Sequence, residues 1–498
     1  MTSHTFLPNV AKWGVQEIIC PGKSDGNPFQ DYEIRGIFTS PQEQKEVTGF
    51  YDGNGQYVVR FMPSFEGHYT YQISGSFSQE TFAGGFDVPP AEPRVHGPVQ
   101  VADTFHFAYA DGTRYMPVGT TCYVWHLQTD AIFASTLHTL AASPFNKIRF
   151  CVFPKHYDYN HNEPAAYPFE PAAPGSEGRW DFSRYCPEYF RHLEKAVIRL
   201  GEIGIEADII ILHPYDRWGF SQMTREEDIR YFRYLACRLG AFRNVWWSLA
   251  NEYDILAHKS AEDWEAYGLT LKAYDPYQHL ISIHNCIPFY DHTRPWITHC
   301  CIQRQQLHLT TELTDTWRKQ FGKPVIVDEM GYEGDIQHGW GNLTGEEITR
   351  RFWEATVRGG YGGHGETYLN EQKILWWSHG DVLHGHSPAR LAFLRDFLES
   401  LPAPMMRLDG SWDEMVATQE GWQGDAAPFY LYYYSFMRPS FRDFQLPEGA
   451  AYRVTVLDTW NMTKEDRGIH TGQVRVVLPA RCYMAVYLEK VDAHQQEE

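Results

Sequence analysis

A short, strongly apolar run near the middle of the 498-residue chain constrains the fold more than any other feature. Residues 245–249 (VWWSL) are bulky and too few for a helix, so they predict a strand buried on both faces, as in a parallel sheet. The run leads into Asn251 and Glu252, a polar pair where the strand should reach the surface. Residues 323–329 repeat the arrangement, a β-branched run that closes on Glu329.

Similar runs alternate with stretches of helical spacing between residues 105 and 400. The predicted strands are 115–119, 145–152, 204–213, 245–249, 280–284, 297–303, 323–329 and 359–366. The predicted helices include 182–203, 226–239, 310–321, 345–357 and 388–398. Eight such units over about 300 residues predict an α/β fold, a (β/α)8 TIM barrel with long loops at its mouth.

The two ends of the chain have the pattern of antiparallel β-structure. Alternating stretches at 56–61 and 68–73 are separated by turns rich in Gly, Asn and Asp, and Pro89-Pro90 breaks the pattern. Strand patterns return at 429–435, 452–457 and 473–478. We therefore predict three domains: a β-sandwich at 1–91, the barrel at 100–400 and a second β-sandwich at 405–498.

Charge and cysteine content limit the partners and the compartment. A formal net charge of −20 without a basic block argues against nucleic acid or an anionic membrane as partner. No stretch is long and apolar enough to span a membrane, and the amino terminus has no signal-peptide pattern. Nine cysteines without a Cys-x-x-Cys pair predict reduced thiols in a cytoplasmic protein. Homo-oligomerisation is left open.

The strand count places Glu252 and Glu329 at the ends of the fourth and seventh strands, on the same face of the barrel. A pair of carboxylates at one barrel mouth is the equipment of glycoside hydrolysis. The segments SLANE (248–252) and VDEMG (327–331) resemble those of the clan A glycoside hydrolases. The stretch DGTRYMPVGTT (111–121) resembles the opening strand of the apiosidase-like branch of that clan. NPF (27–29), RFMP (60–63) and GHYTY (67–71) resemble the Ig-like domain that often precedes such barrels.

The resemblance implies roles for four residues. Glu252 would be the acid/base and Glu329 the nucleophile of a retaining mechanism, with two carboxyl groups about 5–5.5 Å apart. Asn251 would bind the sugar 2-hydroxyl, and Arg149 on the second strand would hold the nucleophile ionised. A capping role for Asn251 and a surface salt bridge for Arg149 are the alternatives. Gln303 stands where many clan members place Tyr or His, which leaves support of the nucleophile open.

Other polar and aromatic side chains fall near predicted strand ends and complete the set of candidate substrate-binding residues. His213 and His284 could bind hydroxyls, orient carboxylates or ligate a metal. No His-x-His follows the first strand, so we favour hydroxyl recognition and predict neither metal nor cofactor. Trp125 and Trp377 are candidates for sugar stacking, with core packing as the alternative. Glu366 is predicted at the mouth, after the Gly-rich eighth strand.

Together these features predict a retaining glycosidase that acts on a short glycoside or oligosaccharide. The long segments 153–181 and 332–342 would wall the cleft into a pocket and favour exo action, unless they form a domain or subunit interface. Two alternatives are a non-catalytic carbohydrate-binding barrel and a metal-dependent barrel hydrolase.

Overall fold

The computed structural model describes residues 5–6, 10–176, 178–409 and 415–491. Eight parallel strands form the central sheet: β1 Gly119–Thr121, β2 Lys147–Cys151, β3 Glu206–Leu212, β4 Val245–Ala250, β5 Ile281–Ser282, β6 Cys300–Gln303, β7 Val325–Glu329 and β8 Tyr361–His364. Their hydrogen-bonded order is β5-β4-β3-β2-β1-β8-β7-β6. A single parallel bridge between His284 and Cys301 joins the two remaining edges and closes the barrel. The predicted barrel is therefore confirmed.

Helices surround the barrel in the gaps between its strands. The longer ones are Asp130–Ala141, Pro187–Glu202, Arg225–Leu239, Ala261–Tyr274, Thr314–Phe321, Gly345–Val357 and Ser387–Ser400. Short helices lie at Pro28–Asp31 and Trp376–His379, and 3-10 turns at Trp125–Leu127, Phe220–Gln222, Tyr253–Ile255, Thr311–Leu313 and Gly339–Gly341. All five predicted helices are present. Asp130–Ala141 and Ala261–Tyr274 are not among the predicted helices, although Thr129 caps the first, and Ser260 and Asp263 form a capping box at the start of the second.

Three predicted boundaries are wrong, and each error has a local cause. The first barrel strand begins at Gly119, because Arg114–Tyr115 pairs antiparallel with His106–Tyr109 instead. Helix Pro187–Glu202 begins five residues late, because Trp180–Tyr185 forms a hairpin with Phe169–Pro171. The eighth strand ends at His364, and Glu366–Thr367 pairs with Glu333–Gly334 outside the barrel.

Antiparallel sheets flank the barrel at both ends of the chain. Two four-stranded sheets lie at the amino end, with the orders Thr5–Phe6, Gln16–Pro21, Gln56–Phe61, Phe50–Tyr51 and Gln44–Thr48, Ile34–Thr39, Gly67–Gly75, Phe82–Val88. A six-stranded sheet at the carboxyl end has the order Met405–Arg407, Met415–Gln419, Phe429–Tyr433, Met484–Val491, Ala451–Asp458, Thr463–His470. Phe441–Gln445 pairs separately with Gln473–Val477. The exact domain limits stay a proposal.

Both flanking regions pack against the helical ring. Arg60 of the amino-terminal sheet is buried against Glu194 at 2.6 Å. Trp353 of helix Gly345–Val357 stacks on Tyr433 of the carboxyl-terminal sheet, with ring centroids 5.6 Å apart. All nine cysteines are free thiols. Among the described residues, no helix combines the length and the apolar character needed to cross a membrane.

Candidate active site

Two buried glutamates lie at the carboxyl ends of barrel strands. Glu252 comes two residues after β4, and Glu329 is the last residue of β7; their exposed fractions are 6% and 4%. Glu252 has a left-handed backbone, with φ 50° and ψ 56°. This conformation is uncommon for a residue other than glycine and is concentrated at functional sites.

Three side chains hold the carboxylate of Glu329. The Tyr123 hydroxyl donates a hydrogen bond to its Oε1. Arg149 Nη1 lies 3.4 Å and His284 Nε2 lies 3.3 Å from the same oxygen. Burial acts to raise the pKa of Glu329, but His284, Arg149 and Tyr123 outweigh it and lower the pKa to about 2. Glu329 is therefore ionised at any pH near neutral.

Glu252 has a different set of partners. The Tyr215 hydroxyl donates to its Oε2, and Gln303 Nε2 donates to its Oε1 over 3.1 Å. The oxygen of the Gln303 amide lies 3.2 Å from His284 Nε2. Gln303 and His284 therefore bridge the two carboxylates, which lie close together at the same end of the barrel. Gln303, whose support of the nucleophile was left open by the sequence, contacts the Glu252 carboxylate directly and Glu329 only through His284.

Asn251 and Arg149 lie together beside this bridge. Arg149 Nη2 and the Tyr123 hydroxyl each lie 3.4 Å from Asn251 Oδ1. Arg149 Nε lies 3.6 Å from Asp208 Oδ2, and the Arg149 side chain is buried. The surface salt bridge considered for Arg149 is therefore wrong.

A second layer of polar groups lies beneath His284. His284 Nδ1 is 3.1 Å from Cys301 Sγ, and that thiol donates to Asp328 Oδ2 over 3.0 Å. Lys147 Nζ lies 2.7 Å from both Asp328 Oδ1 and Asp208 Oδ2. Burial acts to raise the pKa of Asp328, but Lys147 and Arg149 lower it. Sequence reasoning missed this layer. Lys147 lies in the buried run of β2, and a buried lysine indicates carboxylate partners nearby.

Aromatic rings line the cleft next to the carboxylates. The ring of Trp377 meets that of Tyr123 edge-on, with centroids 5.3 Å apart. It packs at a tilt against Trp340, with centroids 5.0 Å apart. Trp377 is 4% exposed and packed among these rings, and its role in sugar stacking stays a prediction. Lys155, which sequence reasoning also missed, lies over the rings of Tyr123 and Tyr215.

The remaining predicted residues lie outside this group. Trp125 is fully buried in the barrel core, stacked on Phe133 at 4.9 Å, so it presents no ring face to a sugar and the stacking prediction is wrong for it. His213 follows β3, but its Nε2 lies 3.3 Å from the Phe153 carbonyl oxygen. Burial lowers the pKa of His213 to about 4.

Glu366 is committed to the backbone of a neighbouring loop. Its two carboxylate oxygens accept from the backbone N–H groups of His384 and Gly385. Substrate binding by Glu366 therefore has no support in this geometry, because both oxygens are engaged away from the cleft. Among the described residues, no three His, Cys, Asp or Glu side chains are grouped to hold a metal ion, and metal independence stays a prediction.

The barrel region of the sequence matches the model of a known protein family. Residues 102–425 match the family model described as apiosidase-like, catalytic domain. The chain belongs to the apiosidase-like family. Residues 9–76 and 412–489 match two models described as domains of unknown function, DUF5060 and DUF5605. No curated protein matches the chain.

Solved structures place this apiosidase-like chain among glycoside-hydrolase-like proteins. A candidate glycoside hydrolase from Bacteroides vulgatus ATCC 8482 is 36% identical, with a TM-score of 0.90 over 97% of this chain and 100% of the other. A second structure, described as a glycoside hydrolase, is 16% identical, with a TM-score of 0.59 over 81% of this chain and 99% of the other. The second likeness concerns the fold alone.

Proposed function

We propose that the protein is a retaining glycoside hydrolase with Glu329 as nucleophile and Glu252 as acid/base. The observation that carries the proposal is the bridged pair of carboxylates, of which Glu329 is held ionised by Arg149, His284 and Tyr123. Retaining glycosidases need one carboxylate that attacks and a second carboxyl group that exchanges protons.

The reaction has two displacement steps. Glu329 attacks the anomeric carbon while the glycosidic bond breaks, and Glu252 gives its proton to the departing oxygen. Glu252, now a carboxylate, takes a proton from water, and the water oxygen displaces Glu329 from the sugar. Within the described chain the Asn251 amide nitrogen makes no hydrogen bond, so it is available to a sugar hydroxyl.

We further propose exo action on a short glycoside or chain end, because two long loops meet over the cleft. His338 Nε2 of the loop after β7 lies 3.4 Å from Asp158 Oδ2 of the loop after β2. Trp340 and Tyr157, one from each loop, both pack against Trp377. These contacts support a pocket closed at one end.

A panel of aryl glycosides tests the function, with apiosides, arabinofuranosides, xylosides and galactosides in both anomers. We expect turnover of at least one, and proton NMR of the first product should show the anomeric configuration of the substrate. An inverted first product would exclude the double displacement. Activity should persist in EDTA, and its loss there would favour a metal-dependent hydrolase.

Chain-end action is tested on a soluble polysaccharide built from the preferred sugar. We expect monosaccharide or short product from the start and a slow fall in viscosity. Early release of mixed oligosaccharides with a rapid fall in viscosity would show an open cleft instead.

A further inference from the structure

The cleft contains a lysine that the reaction described above does not use. Lys155 lies in the loop after β2 and is 3% exposed. Its Nζ is 3.5 Å from the ring centroid of Tyr123, 4.3 Å from that of Tyr215 and 4.6 Å from that of Trp377. Tyr123 and Tyr215 are the residues that donate hydrogen bonds to Glu329 and Glu252. The ammonium therefore lies beside the reacting groups.

The surroundings of this ammonium leave its hydrogen-bonding capacity unused. Within the described part of the chain, Lys155 Nζ makes no hydrogen bond and no ion pair, and its close neighbours are ring faces. Cation–π contact offsets part of the cost of removing the charge from water, but ring faces offer no lone-pair acceptor. Burial lowers the pKa of Lys155, and nearby groups that include Glu252 and Glu329 oppose that effect.

The other cations of the site are already paired. Lys147, also buried, contacts two carboxylates at 2.7 Å each. Arg149 contacts Glu329 and Asn251, and His284 contacts Glu329 and Gln303. Buried charges in folded proteins are normally paired in this way. Lys155 departs from the rule at the place where a substrate would bind.

We propose that Lys155 binds an anionic substituent of the substrate sugar, the carboxylate of a uronic acid or a sulfate ester. This inference rests on the proposed function. A neutral hydroxyl would accept one hydrogen bond, whereas an anion supplies both an acceptor and the missing counter-charge, and charge-assisted bonds are stronger in a dry site. Glu252 and Glu329 would repel such a substituent, and the lysine offsets that repulsion.

Matched pairs of substrates test the assignment. The pairs are aryl glucuronide with glucoside, aryl galacturonide with galactoside, and 6-sulfated with unsulfated galactoside. We expect the wild type to prefer the anionic member of a pair in kcat/KM. Lys155→Met should lose at least about tenfold on that member and much less on the neutral one. Lys155→Arg should retain part of the preference.

Lys12→Met is the matched control, because Lys12 lies over the ring of Trp13 at 4.2 Å, outside the catalytic cleft. It should leave both substrates unchanged. Preference for the neutral member of every pair, or equal loss on both members in Lys155→Met, would overturn the proposal. Preference for the uronide or for the sulfated sugar identifies which anion is recognised.

A binding measurement separates this inference from the proposed function. Calorimetric titration of wild type with sodium glucuronate, sodium galacturonate and galactose 6-sulfate should detect binding that glucose and galactose lack. The binding should disappear in Lys155→Met and persist in Lys12→Met. Anion binding without turnover of any glycoside would refute the hydrolase and keep the anion site. Turnover without anion binding would refute the anion site alone.

Discussion

Two pairs of glutamates lie near the mouth of the barrel, and the two pairs differ in their hydrogen-bond partners. Glu252 and Glu329 contact side chains of Tyr, Gln, Arg and His. Glu333 and Glu366 contact mainly backbone N–H groups of residues 384–387. All four carboxylates are buried. Burial alone therefore does not distinguish the two pairs, whereas their hydrogen-bond donors do.

The second pair is an anchor for the loop that precedes helix Ser387–Ser400. Glu333 accepts from the backbone N–H groups of His386 and Ser387 at 2.6 and 2.9 Å. Glu366 accepts from His384 and Gly385. A Cβ on Gly385 would lie 2.6 Å from Glu333 Oε2 and 2.7 Å from Glu366 Oε2, so a larger residue there would push the two carboxylates away from the loop.

The largest expected effect is that of Glu329→Gly. Without a nucleophile, kcat should fall by at least about 10⁴-fold on every substrate. Added azide should restore part of the turnover by attacking the anomeric carbon directly, and the product is then a glycosyl azide. Full activity in this variant, measured with the best aryl glycoside, would remove Glu329 from the mechanism.

Glu252→Ala should have the next largest effect, and the effect should depend on the leaving group. Substrates with poor leaving groups need proton donation, so their kcat should fall by about 10²- to 10⁴-fold. Dinitrophenyl glycosides need little donation and should lose much less in their first step. Equal losses across a series of leaving groups would contradict the acid role.

The sequence predicts the first pair well because short apolar runs fix where strands end. Glu252 and Glu329 follow directly from the runs of β4 and β7, and Gln303 and His284 lie at the ends of neighbouring strands. Glu366 misleads because it follows the Gly-rich run of β8, whose end is set by the pairing of Glu366–Thr367 with Glu333–Gly334. That pairing joins distant segments and has no local signal.

Loop residues are beyond prediction for the same reason. Tyr123, Lys155 and Tyr215 lie outside the strands, and their contacts depend on how three loops fold over the mouth. Trp125 and Trp377 have the same side chain, yet one packs in the core and the other at the cleft. Composition and spacing do not distinguish these two environments.

A smaller effect is expected from Cys301→Ala, which removes the thiol that links His284 to Asp328. The pKa of Glu329 should rise because His284 is held less firmly against it. Activity is lost as pH falls through that pKa, so the acidic limb of kcat/KM should move to higher pH. The loss at neutral pH should be about fivefold, the value of one hydrogen bond.

Cys301→Ser is the control for this variant, since a hydroxyl can donate to Asp328 and accept from His284. It should restore the acidic limb of the wild type. If Cys301→Ala lowers kcat/KM equally at every pH, the cysteine has a packing role and the polar layer beneath His284 does not tune the nucleophile.

The smallest effect on activity is expected from Glu366→Gln, with kcat/KM unchanged within about twofold because the residue contacts the loop and not the sugar.

The effect of Glu366→Gln on stability should depend on pH. Burial raises the pKa of Glu366 to about 7, above the ordinary unfolded value of about 4.3. Between these values the folded state holds a proton that the unfolded state has released. The contribution of Glu366 to the free energy of unfolding therefore falls as pH rises, by up to about 4 kcal/mol.

Urea unfolding from pH 5 to pH 8 measures this contribution as a difference in slope between wild type and Glu366→Gln. The glutamine also faces a backbone N–H with its amide nitrogen, which lowers stability by an amount that does not vary with pH, so the slope and not the offset is the test. Exposed Glu188, changed to Gln, should leave the slope unchanged. A loss of activity of a hundredfold or more in Glu366→Gln, with wild-type stability at every pH, would place Glu366 in the catalytic cleft and erase the distinction between the two pairs.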